Sequence, residues 1–182
     1  MTTTYQRQRD WSDALLGEAR MLVGFCTVSV ADYEDDTKRA TDLRWFNTSG
    51  AQSARVACRL RDNSYFSRYH DEFTIRSHNN GHQTELDKII AGHGTHALYG
   101  FRSLDGQHIA AWKFLDLYIF RSWYSSTHKS VLEHRMRPPW SVHDNADGTK
   151  FHAFKFDLFP EKFVLFRGTG MQVCDNAMDL DF

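Results

Sequence analysis

A chain of 182 residues is long enough to bury one proper core and short enough to need no second domain. Its 14 Phe, 7 Tyr and 5 Trp, set against a net charge of −1, exclude long disordered stretches, which combine few aromatics with high charge. With 22 basic and 23 acidic residues, no global field draws the protein to nucleic acid or an anionic membrane, so any such binding must come from a local patch.

Cys26, Cys58 and Cys174 are odd in number and far apart, which argues for a reducing compartment and against a disulfide framework. Residues 1–9 are polar, without the apolar run of a signal peptide. Charges such as Lys113, Asp116 and Arg121 interrupt the apolar stretches, so no membrane span is expected and the placement is cytoplasmic.

The first element is a helix. Asp10 is its N-cap, Asp13 sits in the first turn, and Trp11, Leu15, Ala19, Leu22 and Val23 repeat at helical period up to Gly24. Glu18 lies at the edge of that apolar face. From Phe25 the period becomes that of strands, with Cys26 to Val30 alternating. Residues 32–39 carry four acids and two bases and read as a solvated, charged connection, Asp35 and Asp36 included. Leu43, Trp45 and Phe46 suggest a second strand, closed by the loop signal Asn47-Thr48-Ser49-Gly50. Residues 55–61 read as a third strand and residues 73–76 as a short fourth.

Thr84-Glu85-Leu86-Asp87 has the form of a capping box, opening a helix with Leu86, Ile89 and Ile90 on its apolar side and Gly92 as its left-handed stop. Asp105-Gly106 between two strand-like runs is the clearest hairpin signal. Residues 115–124 continue as an amphipathic helix, Pro138-Pro139 marks a break, and Asp147-Gly148 marks another hairpin turn before a strand at 151–158. There is no repeat or interdomain linker. The expected fold is therefore α/β, a mixed central sheet flanked by helices, with a core at about 10–121 and an aromatic-rich C-terminal extension, 122–182, packed on it in one domain.

Asp42 stands at the start of the second strand, and an Arg-bearing third strand follows. Strand alternation puts Arg55, Ala57, Arg59 and Arg61 on one face and Val56, Cys58 and Leu60 on the other, with the Cys58 thiol in the core. Arg55, Arg59, Arg61, Arg68 and Arg76 fall in one span without Lys, interleaved with Tyr65, Phe66 and Tyr69. Arg grips phosphate bidentately and aromatics stack on bases, the pairing that single-strand binding uses; the same residues also suit a solvent-facing strand with ordinary ion pairs.

The strings Ala40-Thr41-Asp42-Leu43, residues 55–61, Glu72-Phe73-Thr74-Ile75-Arg76, residues 84–94 and residues 109–121 resemble small phage and prophage proteins related to the PD-(D/E)XK nuclease superfamily, over roughly half the chain. The resemblance implies a divalent-metal-dependent DNA phosphodiesterase in a bacterial or phage-infected cytosol. Asp42 matches the first acid of the motif, and Glu18 the first-helix Glu that some members add. Where the family has an acid, any residue, then Lys, this chain has Ala57-Cys58-Arg59, and Ala57 cannot bind a metal. Some members move that acid to the following helix, where Glu85 stands with Lys88 one turn later. The implied site has Asp42, Glu85 and Glu18 holding Mg²⁺ or Mn²⁺, Arg59 and Lys88 facing the phosphate, and Arg55, Arg61 and Arg76 gripping the DNA backbone. The missing acid supports an alternative: a nuclease-shaped protein without catalysis that binds DNA, or a host or phage protein, in an accessory or inhibitory role. A third reading is a structural or assembly protein with no active site.

Ten His include the pairs His78 and His82, and His93 and His96, but no paired Cys accompanies them and a closed zinc site is not indicated. Segment 77–82 is faintly similar to an HNH nuclease without its surrounding ββα pattern. No nucleophile elbow or phosphate-cradling glycine loop occurs.

Overall fold

The computed structural model describes residues 10–23, 28–39, 41–46 and 52–170. Residues 10–14 are helical and lead into α1, Leu16–Val23. Then follow β1 (Val28–Val30), α2 (Tyr33–Arg39), β2 (Leu43–Phe46) and β3 (Gln52–Arg61). After these come α3 (Phe66–Tyr69), β4 (Glu72–His78), α4 (Glu85–Ile90), β5 (His96–Arg102) and β6 (Ile109–Asp116). Helix α5 (Leu117–Leu132), β7 (Ser141–Asp144), β8 (Lys150–Lys155) and β9 (Val164–Thr169) complete the chain.

Six strands form a mixed sheet in the order β1-β2-β3-β5-β6-β9. Among the described residues only the β3–β5 pair is parallel, in register from Val56↔His96 to Arg61↔Phe101. A parallel neighbour needs a crossover, and the chain between β3 and β5 provides it through α3, β4 and α4. Strand β4 leaves the main sheet and pairs antiparallel with β8, which pairs with β7, giving a second sheet of three strands.

Each face of the main sheet is covered, because its strands carry apolar side chains at both parities. On one face Leu15, Ala19 and Leu22 of the N-terminal helical segment pack over Leu43, Val56, Leu98 and Trp112. On the other, Ala57, Tyr99 and Phe101 meet Phe120 of α5, Leu86 and Ile89 of α4, and Phe73 and Phe154 of the second sheet. Phe73, Phe120, Phe154 and Phe163 are essentially inaccessible, and Phe73 meets Tyr99 and Phe120 edge to face.

Three elements and one side chain differ from the sequence reading. Residues 33–39 are helical, not a connection: Glu34, Asp35 and Asp36 lie in the first turn of α2 and Lys38 and Arg39 in the last, which suits the helix dipole. Asp35 is not a solvated acid: it is 2% exposed and accepts from Arg39 Nη1 at 2.7 Å and Arg44 Nε at 2.5 Å. Helix α5 starts at Leu117, capped by the Asp116 carboxylate accepting from the Tyr118 and Ile119 N–H groups, while Leu115 and Asp116 belong to β6. The stretch from 122 divides between both sheets, with β9 an edge of the main one. The capping box of α4 and the turns at Gly106 (φ 73°) and Gly148 (φ 80°) form where the sequence places them. Cys26, Gly24 and the loop signal at 47–50 lie outside the described residues. No helix among the described residues is long and apolar enough to cross a membrane.

Candidate functional site

A cleft of about 400 Å³ opens where β2, β3 and β4 approach the N-terminal helical segment and the β7–β8 turn. Its chemistry comes from four acids, Asp13, Asp36, Asp42 and Asp62, three guanidinium groups, Arg59, Arg61 and Arg76, and the rings of Trp11, Tyr65 and Phe151.

Asp42 is set by the β2–β3 ladder. Its N–H donates to the Val56 carbonyl at 2.9 Å, and its carboxylate Oδ2 accepts from the Cys58 N–H at 2.6 Å. Burial pushes this carboxyl up to about 7; the Cys58 hydrogen bond opposes the shift, and the negative charges of Asp36, Glu85 and Asp13 add to it. Burial, with Asp42 beside it, likewise raises the Cys58 thiol, which leaves that sulfur a packing group and not a nucleophile.

Glu85 is the first residue of α4, aimed by the capping box: Thr84 Oγ1 accepts from the Asp87 N–H, and Asp87 accepts from the Thr84 N–H. Its Oε2 accepts from Arg59 Nη1 at 2.6 Å, so Arg59 is ion-paired across the strand–helix gap. The Arg59 Nε is buried without a hydrogen-bond partner. The face that carries Arg59 is not the open Arg row of the sequence reading, because Ala57 is 5% exposed beneath α5 and the aromatic cluster.

Arg61 donates to Thr74 Oγ1 of β4 and lies among three rings, with its guanidinium carbon 4.9 Å from the Tyr65 centroid, 5.6 Å from Tyr69 and 5.9 Å from Phe151. Such rings hold the guanidinium plane in place. Arg76 enters the cleft from β4.

The structure thus brings Asp42, Arg59, Arg61 and Arg76 into one cleft, with Glu85 bonded to Arg59 at its edge. Three expected residues are elsewhere. Glu18 is buried at the β5–β6 hairpin, where Oε1 accepts from the Ile109 N–H at 2.9 Å and Oε2 lies 3.7 Å from His108 Nδ1. Arg55 sits opposite Arg44 at the other end of β3, and Lys88 lies one turn along α4; neither lines the cleft. Trp11, Asp36 and Phe151 line it without having been anticipated as site residues. Phe151 comes from 90 residues beyond Arg61 in the chain, arriving through the β4–β8 pairing Arg76↔Phe151, and no local pattern announces that.

The divalent ion implied by the resemblance does not fit these residues. Among the described residues no group of three His, Cys, Asp or Glu side chains is placed to hold a metal ion. One oxygen of Asp42 is taken by Cys58, and Glu85 Oε2 by Arg59. No family model, curated protein or solved structure matches this chain.

Proposed function

We propose that this protein binds single-stranded DNA in the cleft and does not cut it, the accessory role of a nuclease-shaped fold without catalysis. The observation that carries the reading is Arg61, held among Tyr65, Tyr69 and Phe151 and flanked in the same cleft by Arg59 and Arg76. Guanidinium groups recognise phosphate and exposed rings stack bases, a combination that favours unpaired over duplex nucleic acid. The acids of the cleft do not oppose this as strongly as their number suggests. Asp42 is half-protonated near neutrality, and Asp62 is bonded to Arg102.

Hydrolysis by a Mg²⁺ or Mn²⁺ nuclease is the second reading, favoured by the meeting of Asp42, Arg59 and Glu85 at the β2–β3–α4 junction. Anisotropy with labelled single- and double-stranded oligonucleotides, alongside a cleavage assay with each metal, separates the two. Binding that prefers the single strand and weakens about tenfold in Arg61→Ala, with no cleavage, supports the proposal. Metal-dependent cleavage that vanishes in Asp42→Ala replaces it with the nuclease. Neither binding nor cleavage in a folded protein defeats both.

A further inference from the structure

Beside α3, residues of β5, β6 and β9 line a second cavity of about 370 Å³. That volume lies within the range of about 300–1,000 Å³ usual for small-molecule sites. Phe66 of α3, 38% exposed, forms its apolar rim and meets Phe101 edge to face at 5.2 Å, while Tyr99 and Phe101 of β5 lie buried behind it. Its polar side carries Lys113 of β6 and Arg167 of β9.

These two cations are direct cross-strand partners in the antiparallel β6–β9 register. Like charges placed opposite each other destabilise a sheet. Lys113 is also half-buried, and burial together with Arg167 pushes its ammonium down, against a smaller pull from Asp71. Lys113 Nζ donates to the His70 carbonyl at 2.8 Å and lies 4.4 Å from the Phe156 centroid. Among the described residues no carboxylate forms an ion pair with Lys113 or Arg167. The titratable groups facing the pair are His70 and Asp71, from the segment that follows α3. The strand pairing therefore sets two positive charges side by side, a half-buried Lys113 and an exposed Arg167, beside the Phe66 ring and without an ion-paired acid among the described residues. An anion between them relieves the repulsion, and an apolar body attached to it displaces water from the Phe66 ring.

We infer that this cavity binds a small amphiphilic carboxylate, its aromatic or aliphatic body against the exposed ring of Phe66 and its anionic head between Lys113 and Arg167. The inference is independent of the polynucleotide cleft, which shares no lining residue with this cavity.

Calorimetric titration of the full chain with 3-phenylpropionate, with its uncharged amide and with inorganic phosphate tests it. Saturable one-to-one binding of the carboxylate is expected, at least about tenfold tighter than either the amide or phosphate. Lys113→Met keeps the apolar stem and Arg167→Gln keeps length and polarity; each is expected to weaken binding by about tenfold or more. Thermal melting supplies a second readout. Removing one of two opposed charges raises the melting temperature of the free protein, and 3-phenylpropionate raises that of the wild type but not of the variants. Absence of saturable carboxylate binding overturns the inference. So does equal affinity for the amide or for phosphate, or binding undiminished in both variants.

Discussion

Asp42 is a carboxyl that the fold makes unfavourable to ionise. Its folded-state pKa of about 7 lies above the unfolded value of 3.8, chiefly because of burial. The contribution of Asp42 to stability is therefore fullest below pH 4, falls as the pH rises towards 7, and stays reduced above it. Asp42→Asn keeps an oxygen to accept from the Cys58 N–H and removes the ionisation. It is expected to raise the unfolding free energy by about 2–4 kcal/mol at pH 8 and hardly change it at pH 3, as read from urea denaturation at the two pH values. An equal effect at both would place the cause in packing instead. The position of Asp42 at the start of β2 is legible in the sequence, because the alternation of Leu43 and Trp45 fixes which side chains share a face. Its neighbours are not legible: Asp36 arrives through a helix with no apolar stripe, and Phe151 through a pairing 75 residues away in the chain.

At the level of elements, local signals name the pieces and long-range contacts decide how they serve. The capping box at Thr84 is local, complete in four residues, and the helix forms as read. Thr84→Ala is expected to destabilise by about 1 kcal/mol and, by loosening the turn that aims Glu85, to weaken the Arg59 ion pair. A Thr84→Ser variant, which keeps the hydroxyl, should restore most of the loss in the same denaturation measurement. Helix α2 escapes a search for periodicity because its anchor is not a stripe but one buried acid, Asp35, gripped by Arg39 on its own last turn and Arg44 on β2. Glu18 shows the opposite failure. Its type and its place on the first helix suit a metal site, yet the carboxylate instead satisfies the backbone of the β5–β6 hairpin. Glu18→Ala leaves the Ile109 N–H buried without an acceptor and is expected to cost about 2 kcal/mol. Glu18→Gln keeps an acceptor and should cost less, and neither is expected to change oligonucleotide affinity. A selective loss of binding in Glu18→Gln at unchanged stability would return Glu18 to the site.

Over the whole molecule, the two sheets meet through rings contributed from Phe73 onward: Phe73 from β4, Tyr99 from β5, Phe120 from α5, and Phe154 with Phe163 from the last third. The composition announces an aromatic core, but only the pairing of β4 with β8 tells which face those rings cover. The same global view sets the strength of the proposed DNA contact. With a net charge of −1, attraction to a polyanion rests on the cleft alone, and the cleft holds three guanidinium groups, one of them already paired with Glu85. Counterion release then predicts a shallow salt dependence. About 0.7 of a logarithmic unit per neutralised phosphate on a single strand gives a slope no steeper than about −2 in log affinity against log salt. Arg76→Ala should flatten that slope by about 0.7, while Arg55→Ala, at the far end of β3, should leave it unchanged. Anisotropy titrations across a series of salt concentrations read both numbers. A slope near −5 would require a phosphate-binding surface well beyond this cleft. A slope near zero with binding intact would make stacking on Tyr65 and Phe151, and not charge, the dominant contact.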